Sequence, residues 1–175
     1  MDKDRLVNTL LAIDEELSLT IATKVRPKIV IVGGAAFFLH DITERRTTHD
    51  IDILHADSAA REILSHYPNV NGAVVAYEDH LPYNFEDRLI PLNLDTKAIE
   101  FFTPSIEDLI VMKLYAERPH DIQDIDEAAR RDQVNWGLLE NLVYDPDEAR
   151  GSALVPRRYD EMVGAFERFR ERWQR

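Results

Sequence analysis

Residues 48–54 read THDIDIL. Side chains on a strand alternate faces with a period of two, so a strand here sends Asp50 and Asp52 to one side and Ile51 and Ile53 to the other. Two carboxylates on one face repel unless a positive charge lies between them. Hard oxygen donors suit a divalent cation such as Mg2+ or Mn2+. The plain alternative is the exposed edge of a half-buried strand, where acids are ordinary. The flanking sequence bears on the choice.

Upstream stands IVIVGGAAFFLH, residues 29–40. The β-branched run after Pro27 reads as a buried strand ended by Gly33 and Gly34, and AAFFLHD reads as a short helix that follows at once. Paired glycines at such a junction let a ligand approach the backbone closely. The helix start aims N–H groups and its positive end at the same spot, which makes a seat for phosphate. A tight strand-to-helix turn is the simpler reading of a lone Gly-Gly. In combination, a phosphate seat, a short helix and an Asp-x-Asp strand would place a nucleotide's phosphates beside a cation-binding pair.

The 175 residues suit one domain, or one domain with a small appendage, and can bury a sizeable core. A hydrophobic share of 45% with 31% charged residues describes a folded globular chain. Without cysteine there are no disulfides and no thiolate metal sites. No apolar run approaches a membrane span and the opening MDKDRLVNTL lacks the features of a signal peptide, so the expectation is a cytoplasmic protein without a membrane partner. The net charge of −12, from 21 basic and 33 acidic residues, argues against a broad nucleic-acid-binding surface but allows a local basic cleft. The six histidines show no tight metal-binding spacing, and none is assigned as a ligand.

Leu6, Leu10, Ile13 and Leu17 recur at helical spacing and predict a helix over 3–17. Further on, a helix is expected over 58–67 with Ser58 as N-cap, a strand over 72–78, and a loop or single turn over 81–87. Residues 88–94 and 98–104 read as two strands joined near Asp95-Thr96, with Pro91 confined to an edge. From residue 105 the pattern turns wholly helical. SIEDLIVMKLYAE has Ser105 as N-cap and Asp108 at the capping-box position, Pro119 interrupts, and helices follow over 121–131, 135–143 and 157–173. This order predicts an α+β fold: a mixed sheet flanked by helices over 1–104, with a helical segment over 105–175 packed on it.

Lys113 lies in DLIVMKLYA, a helix apolar on all sides and therefore buried. A lysine there pairs with an acid or reaches a polar cavity, unless it snorkels to solvent. Asp121 adjoins the Ile122/Ile125 stripe and is expected to face inward, whereas Asp124 and Asp126 are expected on a solvated face.

The stretch VGGAAFFLHDITERRTTHDIDIL, residues 32–54, resembles the signature of the nucleotidyltransferase superfamily: a Gly-Gly turn, a helix, then an Asp-x-Asp strand. With Arg46 and Thr48 just before the aspartates, it looks like the minimal bacterial and archaeal members, among them the abortive-infection toxin type. TPSIEDLIVMKLYAERPHDIQDIDEA, residues 103–128, is similar to the second motif of such proteins, with Lys113 as the motif lysine and Asp121 and Asp124 as the acids after it. His120 stands where the motif has arginine. The resemblance runs from about 28 to about 130 and leaves 131–175 unmatched.

The resemblance implies a metal-dependent nucleotidyltransferase that moves a nucleoside monophosphate from an NTP to an acceptor such as an RNA end, a protein or a small molecule. It implies Asp50 and Asp52 as ligands to Mg2+ or Mn2+, Gly33, Gly34, Arg46 and Thr48 as nucleotide contacts, and Lys113 and Asp121 as catalytic groups. A third carboxylate would come from a neighbouring strand, with Glu100 or Asp95 the first candidates and Glu86 and Asp87 outside ones. The toxin relatives add a cognate toxin or antitoxin protein as a partner. Two rivals stand beside this reading: a fold with an incomplete site acting as a binding module, and a metal-dependent phosphohydrolase using the same aspartates.

Overall fold

The computed structural model describes residues 1–20, 26–43, 47–56, 58–72, 78–145, 147–149 and 156–174. The fold is mixed α and β, with five strands in one sheet and seven α-helices among the described residues. In chain order the elements are α1 (Lys3–Thr20), β1 (Lys28–Val32), α2 (Gly33–Leu39), β2 (Ile51–His55), α3 (Ser58–Leu64), β3 (Val70–Asn71), β4 (Ile90–Pro91), β5 (Glu100–Thr103), α4 (Ile106–Ala116), α5 (Pro119–Arg130), α6 (Trp136–Tyr144) and α7 (Pro156–Trp173). A 3-10 turn, Phe85–Arg88, overlaps the loop or single turn expected over 81–87. The strand expected over 72–78 falls almost wholly on residues 73–77, outside the described residues.

The strand order is β3-β2-β1-β5-β4, with β1 at the centre. β1 pairs antiparallel with β2 and parallel with β5; β2 and β3 are parallel, and β4 and β5 antiparallel. Pro91 lies in β4, at the sheet's edge, where its missing N–H costs no ladder bond. After the exposed Lys28, the IVIV of β1 is apolar on both faces because both faces are covered. Ile29, Ile31, Ile51 and Ile53 pack against the apolar stripe of α1 and against Ala60, Ile63 and Leu64 of α3. Val30, Val32 and Leu54 face the opposite way, into a core built with α4 and completed by Leu139, Met162 and Phe166 of the last helices. The residues after 104 thus share a core with the central strands.

Alternation along β2 sends Asp52 to the α4 side, away from the buried isoleucines. β2 lies between β1 and β3, so Asp52 stands on an interior strand and not on an exposed edge, whereas Asp50 precedes β2, which corrects the expectation of one strand carrying both aspartates.

α4 begins where the sequence placed it. Ser105 is its N-cap and accepts a hydrogen bond from the Asp108 backbone N–H at 3.1 Å. The Asp108 carboxylate accepts from Ser105 at 2.6 Å and pairs with Arg88, tying the 3-10 turn to the helix. α4 ends at Glu117, whose left-handed backbone (φ 46°) turns the chain. Pro119 holds Arg118 extended and opens α5 at once. This short turn lays the last turn of α4 against the first turn of α5, and so builds the floor of the cleft described next.

Candidate active site

A cleft of about 530 Å³ opens where the C-terminal end of β1, the start of β2, Asn71 of β3 and the α4–α5 turn meet. Gly33, Gly34, Thr48, Asp50, Asp52, Lys113 and Asp121, distributed over some ninety residues of sequence, all line it. Arg46 lies outside the described residues.

Gly33 follows β1 directly and has φ +66°, a conformation that favours glycine. A β-carbon on it would stand 2.6 Å from Asp52 Oδ2, so the glycine also makes room for the carboxylate. A β-carbon on Gly34 would meet only Thr48 Oγ1, at 3.6 Å, an ordinary contact. α2 has just seven residues, and no side chain caps it at Val32.

Asp52 is half-buried and Asp50 exposed. The register sets Asp52 opposite Val32 on one side and opposite Asn71 on the other. The Asn71 amide Nδ2 donates to Asp52 Oδ1 at 3.3 Å. Burial pushes the Asp52 carboxyl above its ordinary value; the Asn71 bond works against this, the negative charge of Asp50 adds to it, and Arg118 and Lys113 oppose it.

The floor is a buried ion triad. Lys113 Nζ donates to Asp121 Oδ1 at 2.8 Å and lies 2.7 Å from Asp124 Oδ2, with side-chain exposures of 6%, 1% and 1%. The same ammonium sits 4.9 Å from the centre of the Phe37 ring on α2. Lys113 is therefore both paired and open to the cleft, and does not snorkel away. Asp124 corrects the expectation of a solvated face: it is a full helical turn after the start of α5 and turns inward beneath Lys113. Asp126 is half-buried and accepts from Arg172 and Trp173 of α7.

Arg118 Nε donates to Asp121 Oδ2 at 2.6 Å while its side chain stays 58% exposed on the cleft wall. Burial alone would raise the Asp121 carboxyl, but the Arg118 bond and the Lys113 charge outweigh it and hold the group below its ordinary value. Sequence reading missed Arg118 by looking for an arginine adjacent to Asp121. The usable signal was the spacing of three, since a residue at the N-cap faces the third residue of its helix.

Asn71 was also missed: a two-residue strand has no periodicity to read. His49 and His120 line the rim, and His80 lies deeper, stacked on Tyr115 with ring centres 5.1 Å apart. Burial holds His80 below its ordinary value, which favours the neutral ring.

The candidates for a third carboxylate lie elsewhere. Glu100 pairs with Lys28 at the start of β1, five positions before Gly33, or about 16 Å along a strand. Asp95 is in the β4–β5 connection, beside Lys97, which binds Asp14 and Glu15 of α1. Glu86 and Asp87 line a separate shallow depression. Strand alternation could not reveal these distances, because the sheet order was not yet known.

The donor set suits one hard cation. Asp50 and Asp52 both line the cleft, with Gly33 shaped around one oxygen of Asp52, and Mg2+ is held by one or two carboxylates together with substrate phosphates. Among the described residues no group of three or more His, Cys, Asp or Glu side chains is placed to hold a metal. No helix among them is long and apolar enough to cross a membrane.

Residues 8–174 match the model of a protein family described as nucleotidyltransferase of unknown function (DUF6036). No curated protein and no solved structure matches the chain.

Proposed function

The chain belongs to this nucleotidyltransferase family, and from that premise we propose that it binds a nucleoside triphosphate in the cleft beside Gly33 and transfers the nucleoside monophosphate to an acceptor hydroxyl. The observation that carries the reading is the convergence of Asp50, Asp52, Lys113 and Arg118 on one cleft with the Gly33–Gly34 turn. A carboxylate pair alone would repel a triphosphate, and a cation pair alone would not distinguish it from other anions. Together they fit a nucleotide that arrives with Mg2+.

Asp50 and Asp52 would hold Mg2+ or Mn2+, which neutralises phosphate charge and polarises the phosphoryl oxygens. The turn at Gly33 and Gly34 lets the triphosphate approach the backbone. In the reaction the acceptor oxygen bonds to the α-phosphorus, the bond from that phosphorus to the bridging oxygen breaks, and pyrophosphate leaves. The hydroxyl proton passes to water in the open cleft. Lys113 and Arg118 face the charge that grows on the departing pyrophosphate, in a site where fixed charges act without reorganising. Asp121, held by both cations and low in proton affinity, is a positioning residue for them and a poor base.

Calorimetric titration of the four NTPs with Mg2+, on wild type and on Asp50→Ala/Asp52→Ala, tests this. Mg2+-dependent binding that disappears in the double variant is the expected result. Among the described residues no third carboxylate joins Asp50 and Asp52 in the cation seat, which favours a second reading: a nucleotidyltransferase-fold module that works by binding a partner, as in a toxin–antitoxin pair. Failure of every NTP to bind would select it.

A further inference from the structure

We infer that the cation seat of this cleft takes one divalent cation and not two, with Asn71 as its neutral third side chain holding Asp52 in place. The inference rests on the nucleotidyl-transfer reading above and adds the stoichiometry and the residue that sets it.

The two oxygens of Asp52 are defined by different neighbours. Oδ1 accepts from the Asn71 amide at 3.3 Å, and Oδ2 occupies the space left by the missing side chain of Gly33. Parallel pairing of β3 with β2 sets Asn71 directly opposite Asp52, and both line the cleft. A carboxylate at that position would add a third negative charge to the seat. The amide adds none.

The charge count follows. Among the described residues three carboxylates line the cleft, but Asp121 already pairs with Lys113 at 2.8 Å and with Arg118 at 2.6 Å. Asp50 and Asp52 remain, and their two charges match one divalent ion. A pair of such ions, held about 3.5–4 Å apart as two-metal sites require, brings twice that charge together. Among the described residues no larger ligand group is available to hold it.

The test counts Mn2+ on the full chain by the loss of the free-ion paramagnetic resonance signal. Sites that vanish in Asp50→Ala/Asp52→Ala are those of the seat, which separates them from ions attracted by the net charge of −12. Wild type is expected to take one ion at the seat and Asn71→Asp two. Asn71→Ala, which keeps the seat's charge but loses the amide, is expected to take one ion about 10- to 100-fold more weakly, as for other groups that orient a ligand. Melting curves of both variants establish that they fold. Two ions in wild type overturn the inference and leave nucleotide binding standing. One ion in Asn71→Asp, or unchanged affinity in Asn71→Ala, removes Asn71 as the determinant. No ion at the seat in any form overturns the inference together with the cation half of the proposed function.

Discussion

Asp52 Oδ2 fills the space where a β-carbon on Gly33 would stand, 2.6 Å from it. The glycine and the aspartate therefore constrain each other: the strand register fixes the carboxylate, and the carboxylate excludes any side chain at the turn. Gly33→Ala meets both this clash and the cost of φ +66°. It is expected to lose about 1–3 kcal/mol in urea unfolding. Gly34→Ala adds only an ordinary contact with Thr48 and is expected within about 0.5 kcal/mol of wild type. If the Gly33–Gly34 backbone seats phosphate, Gly34→Ala still weakens NTP binding in calorimetry despite its intact stability.

Lys113 pairs with both acids beneath it, Asp121 at 2.8 Å and Asp124 at 2.7 Å, so removing it takes a cation from two carboxylates that are each 1% exposed. Lys113→Met is expected to cost about 3–5 kcal/mol, the usual penalty for leaving one partner of a buried ion pair. Asp121 keeps Arg118, so Asp124→Asn is the companion change that sheds a buried negative charge. Adding Asp124→Asn to Lys113→Met should recover a large part of the loss. A double variant no more stable than Lys113→Met would show that the penalty lies in packing around Phe37 instead.

The sequence made some parts of this arrangement legible and hid others for physical reasons. The facing of Asp52 away from Ile51 and Ile53, the β1 run, the α4 cap and the burial of Lys113 are local signals that need only a period or a spacing. The pairing of Lys113 with Asp121 follows from a short turn whose proline is visible in the sequence. Asp124 was misplaced because its helix is strongly polar, and an inward acid there depends on a lysine from another helix. The place of Asn71 beside Asp52 and the distance of Glu100 from Gly33 depend on strand order, which two-residue strands such as β3 and β4 do not announce.

Asp121 makes stability depend on pH in a definite direction. Its folded-state affinity for protons is depressed, so its contribution is fully present above the ordinary carboxylate value, about 3.9, and is lost as the pH falls through the lower folded value. Wild type should therefore lose melting temperature steeply below about pH 4. Asp121→Asn, which lacks this titration, should start lower at pH 7 and fall less. Parallel curves for the two proteins would rule out Asp121 as a source of acid sensitivity.

Asp52 has the opposite sign, and that separates function from stability at one residue. Its proton affinity is raised in the folded state, first by burial and then by Asp50, so the ionised group opposes folding above the ordinary carboxylate value and stops doing so in acid. Asp52→Asn keeps the shape, accepts from Asn71 through its own oxygen and sheds the charge. In EDTA at pH 7 the variant is expected to melt above wild type. The gap should close below about pH 4, where wild-type Asp52 is itself protonated. Mg2+ should then reverse the order at pH 7, because only wild type gains by binding it. A residue selected for folding alone would not be worth keeping in its destabilising form. Such a reversal would identify Asp52 as a group whose charge serves the ligand, whereas a variant less stable than wild type in EDTA would make it an ordinary structural acid.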